Sequence, residues 1–94
     1  MRVYEVTYIL DPNLEEEQIT KAQEKYSELV TKSGGEIVNV ENWGKRKLAY
    51  EVKGFNEGIY IMMRISSGDE SANVLRRNLS IADEVLRSML VRLN

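Results

Sequence analysis

The order in which the hydrophobic period changes along the chain limits the fold more than any other feature. In Arg2–Leu10 it is two: Tyr4, Val6, Tyr8 and Leu10 share one side of an extended segment and Val3, Glu5, Thr7 and Ile9 the other, with the even side the better core candidate. Asp11-Pro12-Asn13 then breaks the strand. Asn13 with Glu16 three positions later forms a capping-box pattern, which predicts a helix starting near Leu14. Ile19, Ala22, Tyr26, Leu29 and Val30 recur at helical spacing, so one stripe of this helix is buried, and Ser33-Gly34-Gly35 ends it. A long β-type run follows from Glu36 to Lys53, with Gly44 inside it predicting a bulge or bend. Phe55-Asn56-Glu57-Gly58 has turn chemistry, Ile59–Ile65 reads as the returning strand of a hairpin, and Ser67-Gly68-Asp69 closes it. Ala72, Leu75 and Leu79 predict a shorter helix over about 70–79, and Val85–Leu93 returns to strand composition. Strand, helix, strand, strand, helix, strand predicts an α+β, ferredoxin-like βαββαβ domain over residues 1–94, with a four-stranded antiparallel sheet and both helices packed on one face.

Composition narrows the chemistry. A chain of 94 residues can build one core without disulfides, and this one has neither Cys nor His. That removes thiolate nucleophiles, Cys/His zinc sites and the usual neutral-pH proton shuttle, and no metal or cofactor is expected. Glu15-Glu16-Glu17 is explained by the helix dipole at a first turn rather than by acid–base catalysis. Gly34-Gly35 has neither the spacing nor the following Lys-Ser/Thr of a phosphate loop. Glu5 interrupts the opening where a secretion signal would stay apolar, and the longest apolar run, Ile59-Tyr60-Ile61-Met62-Met63, is far too short to span a bilayer, so a cytosolic chain is expected.

The formal charge of −2 argues against gripping nucleic acid over the whole surface, so any RNA site must be a local patch. Acidic residues crowd the first helix, whereas Lys45-Arg46-Lys47 is the only run of three bases. On a strand these side chains spread to both faces and can reach phosphates on either side of a sheet edge. The alternative is a solvated edge strand that uses Lys to discourage intermolecular pairing. Arg87 and Arg92 on the last strand and Arg2 on the first fall on neighbouring strands of a ferredoxin-like sheet, which could gather them into one patch. The sheet face away from the helices is predicted to show Val3, Ile9, Tyr60, Met62, Met89 and Val91, more apolar than a solvated face requires, pointing to a protein partner or to base stacking on Tyr60.

Three segments carry a resemblance to a known family: Met1-Arg2-Val3-Tyr4-Glu5 with Asp11-Pro12-Asn13, the central Trp43-Gly44-Lys45-Arg46-Lys47-Leu48-Ala49-Tyr50, and Asp83-Glu84-Val85-Leu86-Arg87-Ser88-Met89-Leu90-Val91-Arg92. Together, in order and without insertions, the chain resembles the bacterial-type small-subunit ribosomal protein S-six family. The resemblance implies a non-enzymatic, cytoplasmic, ribosome-bound protein. It would bind the central domain of small-subunit ribosomal RNA as a heterodimer with ribosomal protein S-eighteen, without a membrane or small-molecule substrate. It also implies RNA-facing roles for Arg2, Lys45, Arg46, Lys47, Arg87 and Arg92; Tyr60, Met62, Met89 and Val91 of the apolar open face are the candidate partner contacts. Where the family often has Pro this chain has Glu51, and Ser80 stands where many relatives carry a base. The rival reading is a ferredoxin-like regulatory domain that binds a small ligand and oligomerises through its sheet; an RNA-modifying enzyme would need convergent buried polar groups that the sequence does not offer.

Overall fold

The computed structural model describes residues 2–94. Its elements run β1 (Arg2–Leu10), α1 (Glu16–Lys32), β2 (Glu36–Val52), β3 (Phe55–Ser67), α2 (Asp69–Ile81) and β4 (Val85–Arg92). All three pairings are antiparallel and the strand order is β2-β3-β1-β4. This is the ferredoxin-like arrangement expected from the sequence. The even residues of β1 meet the odd residues of β3, so Tyr4, Val6, Tyr8 and Leu10 join Ile59, Ile61, Met63 and Ile65 in the core. Ala22, Tyr26 and Val30 from α1 and Ala72, Leu75 and Leu79 from α2 close over them. Burying one such aliphatic or aromatic side chain contributes about 1.5–3 kcal/mol, so this one-sided core sets the strand register.

Two local expectations are corrected. The first helix begins at Glu16, not near Leu14, and its cap is Glu15, whose backbone N–H donates to Gln18 Oε1 at 2.8 Å. Asn13 is unavailable as the cap because it belongs to a tighter turn, in which its N–H donates to Asp11 Oδ1 (2.8 Å) and Leu14 N–H to the Asp11 carbonyl (3.2 Å). The hairpin turn is Lys53-Gly54, not Phe55–Gly58: both residues have positive φ (50° and 86°), the two-residue pattern whose twist matches the flanking strands, and Val52 pairs with Phe55. Gly58 is in the strand because space is short there. A Cβ at that position would lie 2.3 Å from Ile9 Cγ2.

Two core tyrosines are paired edge to face, ring centroids 5.2 Å apart, yet their hydroxyls fare differently. Tyr26 donates to Glu84 Oε1 at 2.7 Å, and Lys25 Nζ meets the same oxygen at 3.1 Å. Burial pushes the Glu84 carboxyl up, but these donors outweigh it and hold the group below the ordinary carboxylate value. Tyr8 is fully buried, and its hydroxyl has no partner among the described residues. A buried hydroxyl left unpaired costs about 1–3 kcal/mol. Tyr8→Phe is therefore expected to stabilise the chain by about 1 kcal/mol and Tyr26→Phe to destabilise it by a similar amount, shifts of about 4–8 °C in opposite directions by thermal unfolding. Because Glu84 is lowered in the folded state, its contribution is complete at neutral pH and fades as the pH drops through that lowered value. Urea titrations from neutral to acid pH should show a smaller loss for Tyr26→Phe than for the unaltered chain.

Candidate RNA and partner interface

β2 and β3 are much longer than β1 and β4, so the hairpin they form runs past the body of the sheet as an arm. Pairing along the arm slips at three places: between Ile37 and Asn39, between Asn42 and Gly44, and between Lys47 and Val52. Each slip bends and twists the strand. The far part of the arm consequently leans over the side of the sheet that carries no helix. There Leu48, Tyr50 and Val52 face Thr7, Ile9, Tyr60 and Met89 across a cleft of about 330 Å³. Two polar contacts fasten it to β4: Arg87 Nη1 donates to the Tyr50 hydroxyl with its guanidinium 5.4 Å from the ring centroid, and Lys53 Nζ donates to the Val85 carbonyl at 3.1 Å.

The basic run is on this arm. Lys45 is opposite Ile59 and Arg46 opposite Gly58, so Arg46 projects to the open side and its two neighbours to the other, as strand alternation requires. All three are exposed, and among the described residues none forms an ion pair. Arg46 is held all the same: its guanidinium lies over the Trp43 ring, 5.4 Å from the centroid, and its Nε donates to the Trp43 carbonyl at 3.3 Å.

The three arginines expected to form one patch are divided between two places. Arg87, opposite Ile9, belongs with the arm. Arg2 is opposite Ser67, nine positions along β3 from the Gly58 that faces Arg46, which places it roughly 30 Å away at about 3.3 Å per strand residue. Arg92 pairs with Tyr4 at that same far end. Arg2 is also engaged there by Asp69 at the start of α2, which accepts the Tyr4 hydroxyl at 2.9 Å as well. Hydrogen bonds from Arg2 and Tyr4 and the charges of Arg2 and Arg92 draw Asp69 below its ordinary value. The reason for the split is simple: neighbouring strands bring two residues together only at matching register, and Arg87 and Arg92 are five positions apart on one strand.

The open face holds the residues assigned to it by alternation, though not all are accessible. Met62 lies on this side but is only 4% exposed, and Ile9 is buried too. Across the middle, Arg64 pairs with Glu5 at 3.0 Å. The apolar surface that stays open lies mainly on edge strand β4, at Met89 (62% exposed) and Val91 (46%), followed by Leu93 (48%). Tyr60 is half-buried beside the cleft. The sequence reading did not single out Tyr50 or Lys53, nor the adjacent exposed pair Arg76 and Arg77 on α2, near Asn73 and Ser80. Two consecutive bases on a polar helix face were a visible signal for the latter; the approach of Tyr50 to Arg87 was not, since it depends on how far the arm bends.

No helix in the described residues is long and apolar enough to cross a membrane, and the described residues contain no group of three or more acidic, His or Cys side chains arranged to hold a metal. Comparison with known proteins is direct. A family model described as ribosomal protein S6 matches residues 3–92. The small ribosomal subunit protein bS6 of Desulforudis audaxviator is 46% identical over 92 residues, covering 98% of both chains, and that of Clostridium acetobutylicum is 42% identical over 93 residues, covering 99% of this chain and 98% of the other. The crystal structure of 30S ribosomal protein S6 from Thermotoga maritima superposes with a TM-score of 0.91 at 32% identity, covering 97% of this chain and 86% of that one. The agreement extends from the first strand to the last, and the chain belongs to the ribosomal protein S6 family, structural proteins of the small ribosomal subunit and not enzymes.

Proposed function

We propose that the protein binds the central domain of small-subunit ribosomal RNA together with ribosomal protein S-eighteen, as a cytoplasmic, ribosome-bound assembly component. The observation that carries this reading is the projecting arm, on which Lys45, Arg46 and Lys47 stand exposed and, among the described residues, without an ion pair, in a chain of net negative charge. Side chains on both sides of an arm can meet phosphates on both sides of a groove, and Arg87 adds a fourth cation at its base. Arg2 and Arg92 supply a second, separate contact at the opposite end of the sheet. Two anchoring points about 30 Å apart fix the orientation of a folded RNA better than one dense patch would.

S-eighteen covers the apolar strip of Met89 and Val91 and reaches the cleft beside Tyr60, with Met62 supporting that surface from below. Exposed side chains of this size and spacing lose unfavourable water contact when a partner closes over them. The partner also brings cations of its own, so the modest negative charge of this chain does not oppose RNA binding by the pair.

Replacing Lys45, Arg46 and Lys47 together with Ala tests the RNA contact. At about 0.7 per phosphate contact, the slope of log affinity against log salt should become shallower by roughly two units. An unchanged slope removes the arm from the interface. Met89→Asp with Val91→Asp should weaken association with S-eighteen by tenfold or more, on the order of a truncated interface anchor, with the thermal midpoint of the isolated chain kept because both side chains are outside the core.

A further inference from the structure

Trp43 is an unusual residue to leave half in water, and the local structure holds it there by several independent means. It is the extra residue at the slip between Asn42 and Gly44, so it is expelled from the β2–β3 ladder. Gly44 completes the bulge at φ 79°, a backbone state open to glycine at little cost, while its N–H donates to Asn42 Oδ1 at 2.8 Å. The indole N–H is tied to Glu41 Oε1 at 3.0 Å, and the other oxygen of that carboxylate accepts from Asn39 Nδ2, also at 3.0 Å. Arg46 lies against the ring. With these constraints in place Trp43 remains 40% exposed. Val38 is expelled by the neighbouring slip in the same strand, and its aliphatic side chain offers no group for such a polar clamp.

We propose that Trp43 and Arg46 form a stacking platform for one unpaired nucleobase of the RNA. This rests on the RNA reading above and specifies what the arm recognises. A base in a duplex is already stacked on both faces and shows only its edges, whereas a base in a loop or bulge offers a free π-face to an aromatic ring or a guanidinium plane. A ring fixed before binding loses little rotamer freedom on stacking. Arg46 supplies the cation beside the ring, a combination of aromatic surface and positive charge suited to single-stranded RNA, while Lys45 and Lys47, on the other side of the arm, are left to phosphates elsewhere on the RNA.

Trp43 is the only tryptophan in the chain, which makes the platform directly observable. The full chain with S-eighteen is titrated with a central-domain ribosomal RNA fragment, and the Trp43 emission is isolated by subtracting the same titration with Trp43→Phe. The expected result is quenching of that emission on binding. Trp43→Leu should weaken RNA binding by on the order of 5- to 100-fold at an unchanged salt slope, Trp43→Phe by much less, and Val38→Ala not at all. Binding without any change in Trp43 emission, or full affinity in Trp43→Leu, overturns the platform while leaving the RNA reading intact. A salt slope reduced by about 0.7 in Trp43→Leu also overturns it, because Trp43 would then serve only to place the Arg46 charge. Failure of the unaltered chain and S-eighteen to bind the fragment overturns the RNA reading and this inference together.

Discussion

Two helices can cover one face of a four-stranded sheet and not the other. α1 and α2 bury the side of Tyr8, Val6, Ile61 and Met63, and the opposite side is left to find its own cover. The rest of the molecule follows from that inequality. Part of the bare face is closed by the chain itself, through the leaning β2–β3 arm and the contact of Tyr50 with Arg87. Part is neutralised by an ion pair, Glu5 with Arg64, across the two central strands. What remains is the strip on β4, an edge with apolar side chains and no strand beyond it. An edge of that kind is a liability in an isolated protein and an asset in one that works inside an assembly.

The arm carries a second consequence. It sets Lys45, Arg46 and Lys47 in the open, where among the described residues none of the three forms an ion pair, although Lys47 is opposite Glu57 and near the turn that leads into α1. Bulges deliver this geometry. They bend the arm over the open face, and at Trp43 they turn a side chain outward that an unbroken ladder would have kept in register. The family to which the chain belongs is structural, and the projecting arm is built from strand length and strand irregularity.

Much of this was legible in the sequence because one-sided burial leaves a strong periodic signal. The alternation of Tyr4, Val6, Tyr8 and Leu10 and the helical spacing of Ala22, Tyr26 and Val30 gave the fold and the two faces. Boundaries were harder. Asn13 and Glu16 offered a plausible cap, but Asp11 accepts the Asn13 and Leu14 N–H groups in a turn, and the helix starts at Glu16 with Glu15 as its cap. Gly58 was read as a turn residue when its role is to admit Ile9, a packing demand that involves a distant strand and leaves no local mark. The site was less readable than the fold for the same reason. That Lys45, Arg46 and Lys47 are adjacent can be seen in one dimension, while the separation of Arg92 from Arg87 by register, the covering of Met62 and the seating of Arg46 on Trp43 exist only once strands are paired and bent.

In the proposed function the open face and the basic arm are parts of one binding event: the partner occupies the first and thereby helps the second to hold RNA. The direct measurement is the affinity of the chain for a central-domain RNA fragment, at fixed salt, with and without saturating S-eighteen. Coupling between two sites of this kind is typically 5- to 150-fold, and an increase within that range is predicted. Equal affinities in the two titrations would contradict it.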